Sequence, residues 1–288
     1  MKQTTFQTLN DLMVVPGYER LLRANSLDSL DALFAVVNDD RLSKPGLAAW
    51  RERLRLTLSA ERQQRVFYLK RFRHPPRSAR REVRRSRSGA SSVAGVEWTW
   101  MHRLARDGVP CVNPVALGEE FRNGRELRSA VLTAAVPGQS LEQWADQWIS
   151  RDSRDDRRTA RRLIEPTADI VARLHRSGYI HRDLYLSHIF FDPDAPLKQS
   201  LHLIDLQRVI QPAGRRRRWI VKELASLNFS LPGGLISNTD RLRWLTRYFG
   251  VRKLNASMRR LFYLIVGKTR WIARHQRRRA SRLRSCES

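Results

Sequence analysis

The amino-acid sequence predicts an α+β fold made of two parts, a strand-rich first part and a helical second part. Apolar residues between Leu54 and Phe72 alternate with polar ones or form a continuous run, which is typical of strands. In Arg161–Ser177 the apolar residues recur at helical spacing, and the chain beyond Arg215–Arg218 also has a helical pattern. We therefore expect a first lobe over residues 1–136, a second lobe over residues 137–288, and a cleft between them.

The first part is predicted to contain a β-hairpin over Leu54–Phe72, in which LRLTL and RVFYLKRF are strands and AERQQ is the turn. The segment Arg71–Ser92 is rich in Arg, Ser and Pro and has almost no apolar residues, so we expect a mobile basic loop there. A helix is predicted for Glu97–Arg106. Two further strands are predicted for Pro110–Leu117 and Leu127–Val136.

The second part begins with a predicted helix in SLEQWADQWI, for which Ser140 is the expected N-cap. A longer helix covers Arg161–Ser177, where Pro166 suits the first turn and Gly178 ends the helix. Two short apolar strands follow, within YIHRDLYLSHIFFD and LHLIDL. The remaining chain is predicted to be helical and is strongly basic at its end.

The charge of the chain predicts a polyanionic partner. Lys and Arg number 55 against 28 Asp and Glu, which gives a formal net charge of +27. Nucleic acid, an anionic membrane surface and a phosphorylated glycan would all complement this charge.

The cysteines and the apolar runs bear on the cellular compartment. Cys111 and Cys286 have no C-x-x-C spacing, so neither a disulfide framework nor a structural zinc site is expected. There is no signal-peptide pattern and no apolar run near the roughly 18 residues that span a bilayer. We expect a cytoplasmic protein, either free in the cytosol or attached to a membrane from the cytosolic side.

The stretch HRDLYLSHIFF, from His181 to Phe191, follows a predicted helix and leads into an apolar strand. Phosphoryl transfer depends on positioning and charge neutralisation more than on covalent help from the protein. A carboxylate on a rigid loop can orient an acceptor hydroxyl and accept its proton, and we assign this role to Asp183. His188, five positions later, would return to the same side and contact a metal ion or the phosphates.

Asp205 follows the apolar segment LHLI, where an ionised carboxylate without a partner would be costly to bury. A Mg²⁺ ion that bridges nucleotide phosphates would remove this cost, so we predict that Asp205 is a metal ligand. Lys70 lies on the second strand of the hairpin, and Glu97 opens the next predicted helix. A strand lysine held by a helix glutamate places an ammonium group on the α- and β-phosphates of ATP.

Over roughly Arg51–Phe249, these segments resemble the bacterial lipopolysaccharide kinase family (Kdo/WaaP type) of the protein-kinase superfamily. FYLKRFRHP resembles the lysine strand of that family, and GVEWTWMHRLARDGVPCVNPVALGE resembles its glutamate helix and the following strand. RLHRSGYIHRDLYLSHIFFD and LHLIDLQRV resemble its catalytic loop and metal-binding strand. His188 matches this family, whereas most protein kinases have Asn there, and IDLQR replaces the D-F-G segment of protein kinases.

The resemblance implies a bilobal protein-kinase-like fold and an ATP- and Mg²⁺-dependent kinase. Its acceptor would be a lipopolysaccharide core sugar, heptose or Kdo, or a related membrane-linked glycan. Asp183 would be catalytic, Asp205 would bind the metal, and Lys70, Glu97 and His188 would form the nucleotide site. The implied partners are an anionic glycolipid acceptor and the anionic inner-membrane surface, on whose cytosolic face the protein would be peripheral.

Two other functions remain open on the sequence alone. A protein kinase or a small-molecule kinase could use the same scaffold. A catalytically inactive nucleic-acid-binding scaffold also fits the charge and the lack of a G-x-G-x-x-G motif, since Gly46 is the only glycine shortly before the hairpin. No interleaved basic and aromatic stacking motif is present, so we do not expect nucleic acid as the partner, and no oligomeric state is predicted.

Overall fold

The computed structural model describes residues 6–37, 42, 48–60 and 63–284. Their contacts form two compact units. The first unit contains the described residues up to Val136 together with Asp205–Gln211. The second unit contains Pro137–Ile204 and the chain from Pro212 onward. The chain therefore returns to the first unit at Asp205.

A six-stranded antiparallel sheet is the frame of the first unit. In space its strands follow the order β1-β2-β5-β6-β4-β3. The strands are β1 (Gln7–Leu9), β2 (Leu12–Val14), β3 (Arg51–Ala60), β4 (Gln63–Arg73), β5 (Pro114–Arg122) and β6 (Arg125–Ala134).

The predicted hairpin is confirmed as β3 and β4, which pair along their whole length. Both strands are longer than predicted and extend into the expected turn AERQQ, of which Glu61 and Arg62 lie outside the described residues. The strands predicted for Pro110–Leu117 and Leu127–Val136 correspond to β5 and β6, with shifted ends. Leucines alternate with polar residues along β3 because one face of the strand is buried. These leucines and the apolar residues of β4 fill the core of the first unit.

The helices described in the first unit are α1 (Glu19–Ala24), α2 (Leu30–Ala35), α3 (Arg77–Ser86) and α4 (Val93–Arg106). The prediction of a loop over Arg71–Ser92 is wrong, because this segment contains the end of β4 and all of α3. Arginine favours helices, and Ala79 and Val83, four residues apart, give α3 a buried stripe. The many arginines around them hid this pattern.

Helix α4 begins one turn earlier than predicted. Ser92 caps it, since its Oγ accepts a hydrogen bond from the N–H of Gly95 at 2.8 Å. Glu97 therefore lies in the second turn of α4 and not at its start.

The second unit is mainly helical. Its described helices are α5 (Leu141–Arg151), α6 (Arg154–Arg162), α7 (Ile164–Arg176), α8 (Arg216–Ser230), α9 (Asn238–Phe249) and α10 (Ala256–Arg284). A small antiparallel sheet contains β7 (Gln139–Ser140), β8 (Ile189–Phe191) and β9 (Leu201–Leu203). Helix α7 packs against α9, and α8 packs against α10.

The helix ends in the second unit agree with several sequence signals. The prediction that Ser140 caps α5 is confirmed, and Gln143 completes a reciprocal capping box with it. The predicted helix over Arg161–Ser177 is divided between the end of α6 and α7, and Gly178 follows it with a φ of 89°. In the described part of the chain, no helix combines the length and the apolar character needed to cross a membrane.

Candidate functional site

Lys70 of β4 is held by a carboxylate of helix α4. Lys70 lies opposite Arg53 of β3 and Val131 of β6 in the sheet. Its Nζ atom lies 2.7 Å from Oε1 and 2.9 Å from Oε2 of Glu97. Glu97 is only 2% exposed, so the ion pair is largely shielded from solvent. The structure thus brings together the strand lysine and the helix glutamate.

A second buried carboxylate fixes the start of α4. Glu126 of β6 accepts hydrogen bonds from the N–H of Val93, at 3.1 Å and 3.2 Å, and from Oγ of Ser129 at 2.6 Å. Burial raises the pKa of Glu126, although the bonds from Ser129 and Val93 act in the opposite direction. Because its first turn is bound to the sheet, α4 presents Glu97 to Lys70 in a defined position.

Asp205 joins this ion pair. Its Oδ1 lies 3.0 Å from Nζ of Lys70, and its Oδ2 lies 3.7 Å from Nη2 of Arg53. Asp205 immediately precedes the 3₁₀ turn Leu206–Arg208 and has a φ of 57°. This left-handed conformation is uncommon outside glycine, although Asp tolerates it better than most residues. Backbone strain at a partly exposed carboxylate is typical of functional positions.

The charges around Lys70 keep it protonated. Burial acts to lower the pKa of Lys70 and is the largest single influence on it. The negative charges of Asp205 and Glu97 together outweigh burial, so the pKa lies above its ordinary value. Lys70 is therefore an ammonium ion at neutral pH, which suits it to bind phosphate oxygens.

Asp183 and His188 lie in the second unit and share one loop. Nδ1 of His188 lies 2.6 Å from the carbonyl oxygen of Asp183. A carbonyl oxygen only accepts hydrogen bonds, so we assign the proton of a neutral His188 to Nδ1. Nε2 then has the lone pair, which makes it suitable as a metal ligand or a hydrogen-bond acceptor. A contact from Nε2–H to phosphate would require the protonated ring.

His181 ties the same loop to the chain after β9. His181 is fully buried, and its Nε2 lies 3.0 Å from the carbonyl oxygen of Ile204. The N–H of Ile204 in turn donates to the carbonyl oxygen of His188 at 3.1 Å. These bonds give His181 a structural function in the loop.

Glu223 of α8, which no sequence pattern predicted, is a buried anchor of the loop. Its Oε1 accepts a hydrogen bond from the N–H of Arg182 at 2.5 Å, and its Oε2 lies 2.9 Å from Nε2 of His175. Nδ1 of His175 lies 2.8 Å from the hydroxyl of Tyr248. A glutamate within the largely apolar segment VKELASL is the one available signal, because buried carboxylates require partners.

The predicted site residues therefore fall into two groups. Lys70, Glu97 and Asp205 form an ion cluster in the first unit, and Asp183 and His188 share a loop in the second unit. Over the residues that the structure describes, no group of three or more His, Cys, Asp or Glu side chains is placed to hold a metal ion. Asp205 nevertheless offers carboxylate oxygens, the donor type that Mg²⁺ prefers, and nucleotide phosphates commonly supply further oxygen ligands.

A strand lysine, its helix glutamate, an H-R-D loop and an aspartate after a later strand define the protein-kinase-like class of folds. The model of the lipopolysaccharide kinase (Kdo/WaaP) family matches residues 52–248 of this chain. The chain belongs to that family, and the resemblance noted in its sequence is confirmed.

The chain is also similar to named members of the family. The lipopolysaccharide core heptose(I) kinase WaaP of Pseudomonas aeruginosa is 33% identical over 157 residues, which cover 53% of this chain and 58% of the relative. The protein of the same name from Escherichia coli K12 is 33% identical over 161 residues, which cover 54% and 59%. The chain thus matches less than two thirds of the length of these relatives.

One solved structure resembles the chain over nearly its whole length. It is described as WaaP in complex with acyl carrier protein, has a TM-score of 0.65 and is 26% identical. The similarity covers 93% of this chain and 98% of the other. Together with the antiparallel sheet and the helical second unit, it confirms the predicted α+β, protein-kinase-like fold class.

Proposed function

We propose that this chain is a kinase that transfers the γ-phosphate of ATP to a hydroxyl group of a heptose in the lipopolysaccharide core. The ion cluster of Lys70, Glu97 and Asp205 is the observation on which the proposal depends, since it combines a fixed cation with a reachable carboxylate. The heptose is suggested by the two relatives, both of which are named lipopolysaccharide core heptose(I) kinases.

In this proposal the first unit binds the nucleotide. Lys70 donates hydrogen bonds to phosphate oxygens of ATP, and Glu97 keeps the ammonium group in place. Asp205, whose side chain is 26% exposed, is the residue that would hold Mg²⁺. The ion, when bound, would supply positive charge that neutralises the phosphates.

The loop of the second unit would act on the acceptor. The sugar hydroxyl oxygen forms a bond to the γ-phosphorus, the bond from that phosphorus to the bridging oxygen breaks, and ADP leaves. Asp183 orients the hydroxyl and accepts its proton. His188, with its proton on Nδ1, is suited to contact a metal ion through Nε2.

Two substitutions test these roles. Asp183→Asn and Asp205→Asn are each expected to abolish transfer of labelled phosphate from ATP to purified heptose-containing core, while the circular dichroism spectrum stays unchanged. Asp194→Asn makes the same change at an exposed position and should leave transfer intact. Turnover near that of the wild type in either of the first two variants contradicts the assignment.

An acceptor screen separates this proposal from the two alternatives. Core without heptose, peptides and small alcohols should not accept phosphate from the wild-type chain. Equal transfer to peptides or alcohols would favour a protein kinase or a small-molecule kinase. Lack of nucleotide binding, together with salt-sensitive binding of nucleic acid, would favour an inactive scaffold.

Helix α10 supports a peripheral position at an anionic membrane. Its sequence contains ten Lys and Arg residues and no Asp or Glu. Ile265 packs inward, whereas Tyr263, Leu264 and Trp271 are exposed. Each basic residue near an anionic leaflet contributes about 1 kcal/mol, and aromatic side chains on an amphipathic helix enter the interface. We propose that this exposed face of α10 lies on the membrane surface.

Vesicle sedimentation tests the membrane proposal. The wild-type chain should sediment with phosphatidylglycerol vesicles and much less with phosphatidylcholine vesicles. The double substitution Tyr263→Ser and Trp271→Ser should weaken binding to the anionic vesicles, because it removes apolar contact without changing charge. Phe121→Ser removes an exposed aromatic residue from β5 and is the control. Equal effects of the two changes would contradict the proposed face.

A cavity within the second unit supports a second partner. It has a volume of about 810 Å³, within the range of ligand sites, and its lining is largely apolar. The lining includes Trp148 of α5, Leu227 of α8, Leu245 of α9 and Phe262 of α10. The similar solved structure is described as a complex with acyl carrier protein, whose name denotes a carrier of acyl chains. We propose that this chain binds an acyl carrier protein and that the cavity receives the acyl chain.

Calorimetric titration with acylated and unacylated carrier protein tests this partner. The acylated form should bind more tightly. Val266→Trp narrows the cavity and should remove the preference for the acylated form, whereas Ile220→Trp, outside the cavity lining, should retain it. Equal affinity of the wild-type chain for both forms would contradict acyl binding in the cavity.

A further inference from the structure

A row of arginines lies on the face of the sheet that presents Lys70. The leucines of β3 are buried in the core, and strand side chains alternate between the two faces. Arg51, Arg53 and Arg55 therefore lie on the opposite face of β3. The strand register places Arg53 directly across from Lys70, so the two side chains are neighbours on one face.

Arg53 and Lys70 approach the same carboxylate. Nζ of Lys70 lies 3.0 Å from Oδ1 of Asp205, and Nη2 of Arg53 lies 3.7 Å from its Oδ2. The side chains of Arg53 and Asp205 are 28% and 26% exposed. A dissolved anion can therefore reach the guanidinium group, while Glu97 holds Lys70 from the buried side.

Together, the ion cluster and the neighbouring arginines of β3 contain more positive than negative side chains. Arg51, which interacts electrostatically with Arg53 and Asp205, adds a third cation to Lys70 and Arg53, against the carboxylates of Glu97 and Asp205. The guanidinium of Arg51 lies over the ring of Trp50, 4.3 Å from its centre. Its buried Nε has no hydrogen-bond partner within the described residues. Such a cluster attracts a polyanion more strongly than a lysine and glutamate pair alone.

A nucleotide polyphosphate fits this arrangement. The sequence lacks the G-x-G-x-x-G motif whose backbone covers the phosphates in protein kinases, and Gly46 lies outside the described residues. A guanidinium can donate two parallel hydrogen bonds to phosphate oxygens. We propose that Arg53 binds the phosphate chain of the nucleotide. When the nucleotide enters, the guanidinium group of Arg53 leaves the carboxylate of Asp205 and binds phosphate oxygens instead. This inference rests on the proposed function, because it takes a nucleoside triphosphate as the substrate.

Calorimetric titration of Arg53→Gln with ATP, ADP and adenosine tests the inference. Loss of a charged hydrogen-bond donor should weaken the binding of ATP and ADP by about tenfold or more. Adenosine, which has no phosphate, should bind as it does to the wild type. Arg53→Lys keeps the charge and should retain part of the affinity. Arg65→Gln is the control, because Arg65 pairs with Leu58, a core residue, and so lies on the other face of the sheet. This variant should bind both nucleotides normally.

The outcomes separate this inference from the proposed function. A wild-type chain that binds neither ATP nor ADP overturns both. Loss of ATP binding in Lys70→Gln, with wild-type affinity in Arg53→Gln, overturns only the assignment of Arg53. An equal loss of affinity for adenosine and the nucleotides in Arg53→Gln would indicate a structural effect and also overturn it. Selective loss of ATP and ADP is the result we expect.

Discussion

Oε1 of Glu223 accepts a hydrogen bond from the N–H of Arg182, at the residue where the loop adopts a φ of 72°. A left-handed conformation at a long side chain costs about 1–3 kcal/mol and persists where the surroundings impose it. Glu223 is buried, and its second oxygen contacts His175. The conformation of Arg182, next to Asp183, therefore depends on a carboxylate 41 positions after Arg182.

We predict that Glu223→Ala lowers both stability and turnover. The change leaves the N–H of Arg182 and the ring of His175 without this partner, which should cost about 3 kcal/mol in the free energy of unfolding. Turnover should fall with little change in the KM for ATP, because the loop with Asp183 is disturbed. Urea unfolding and steady-state kinetics measure the two effects.

Glu223→Gln is the conservative variant, because its amide can accept from Arg182 and donate to His175. It should restore most of the turnover. Asp240→Ala removes another buried carboxylate, which forms the capping box of α9 with Ser237, and should lower stability alone. If Glu223→Ala retained wild-type turnover in its folded fraction, Glu223 would have no positioning function.

We predict that Glu97→Gln makes nucleotide binding sensitive to pH. In the wild type the pKa of Lys70 lies above its ordinary value of 10.5. The contribution of protonated Lys70 to the stability of the fold is therefore complete below pH 10.5, and it is lost only as the pH rises through the folded-state pKa. Removal of the Glu97 charge leaves burial, the largest influence, opposed by Asp205 alone, so the pKa should fall. ADP affinity should then decline as the pH rises from 7 towards 10.5, a range in which Lys70 of the wild type stays largely protonated.

The wild-type chain is the control for this titration, and its ADP affinity should stay nearly constant over the same range. Glu142→Gln, a change at an exposed glutamate of α5, should behave like the wild type. Parallel pH profiles for Glu97→Gln and the wild type would show that Glu97 does not maintain the charge of Lys70.

Cys111 should resist alkylation in the folded chain. Burial raises the pKa of its thiol to about 12, so almost no thiolate is present at pH 8. Iodoacetamide at that pH should modify Cys111 only after unfolding in urea, as measured by peptide mass spectrometry. Rapid modification of Cys111 in the absence of urea would contradict the burial of this residue.

The parts of the fold that sequence predicted best depend on short-range periodicity. The alternation in LRLTL and the apolar run before Lys70 predicted β3 and β4, because a strand repeats every two residues. The position of α3 was missed because its buried stripe consists of few residues among many arginines. The pairing of β2 with β5, for example Leu12 with Gly118, joins distant segments and leaves no local pattern.

In the candidate site, too, short local patterns could be predicted from the sequence, whereas contacts between distant segments could not. Asp183 and Asp205 lie in short recognisable stretches, whereas the bond from Arg182 to Glu223 requires the packing of α8 against the loop. The position of Arg53 could be predicted only in part. The two-residue repeat assigns it to the face opposite the leucines, but its position across from Lys70 follows only from the strand register.

Asp205→Asn should have opposite effects on nucleotide binding with and without a divalent metal. Without metal, the carboxylate of Asp205 repels phosphate and competes for Lys70 and Arg53, so its removal should raise ADP affinity about threefold or more at pH 7. With Mg²⁺, the variant lacks the proposed ligand, and the metal should no longer enhance binding. Calorimetric titration in EDTA and in Mg²⁺ measures both effects, with Asp194→Asn as the control. Weaker ADP binding by Asp205→Asn in EDTA would show that the carboxylate orders the two cations for the nucleotide instead of competing with it.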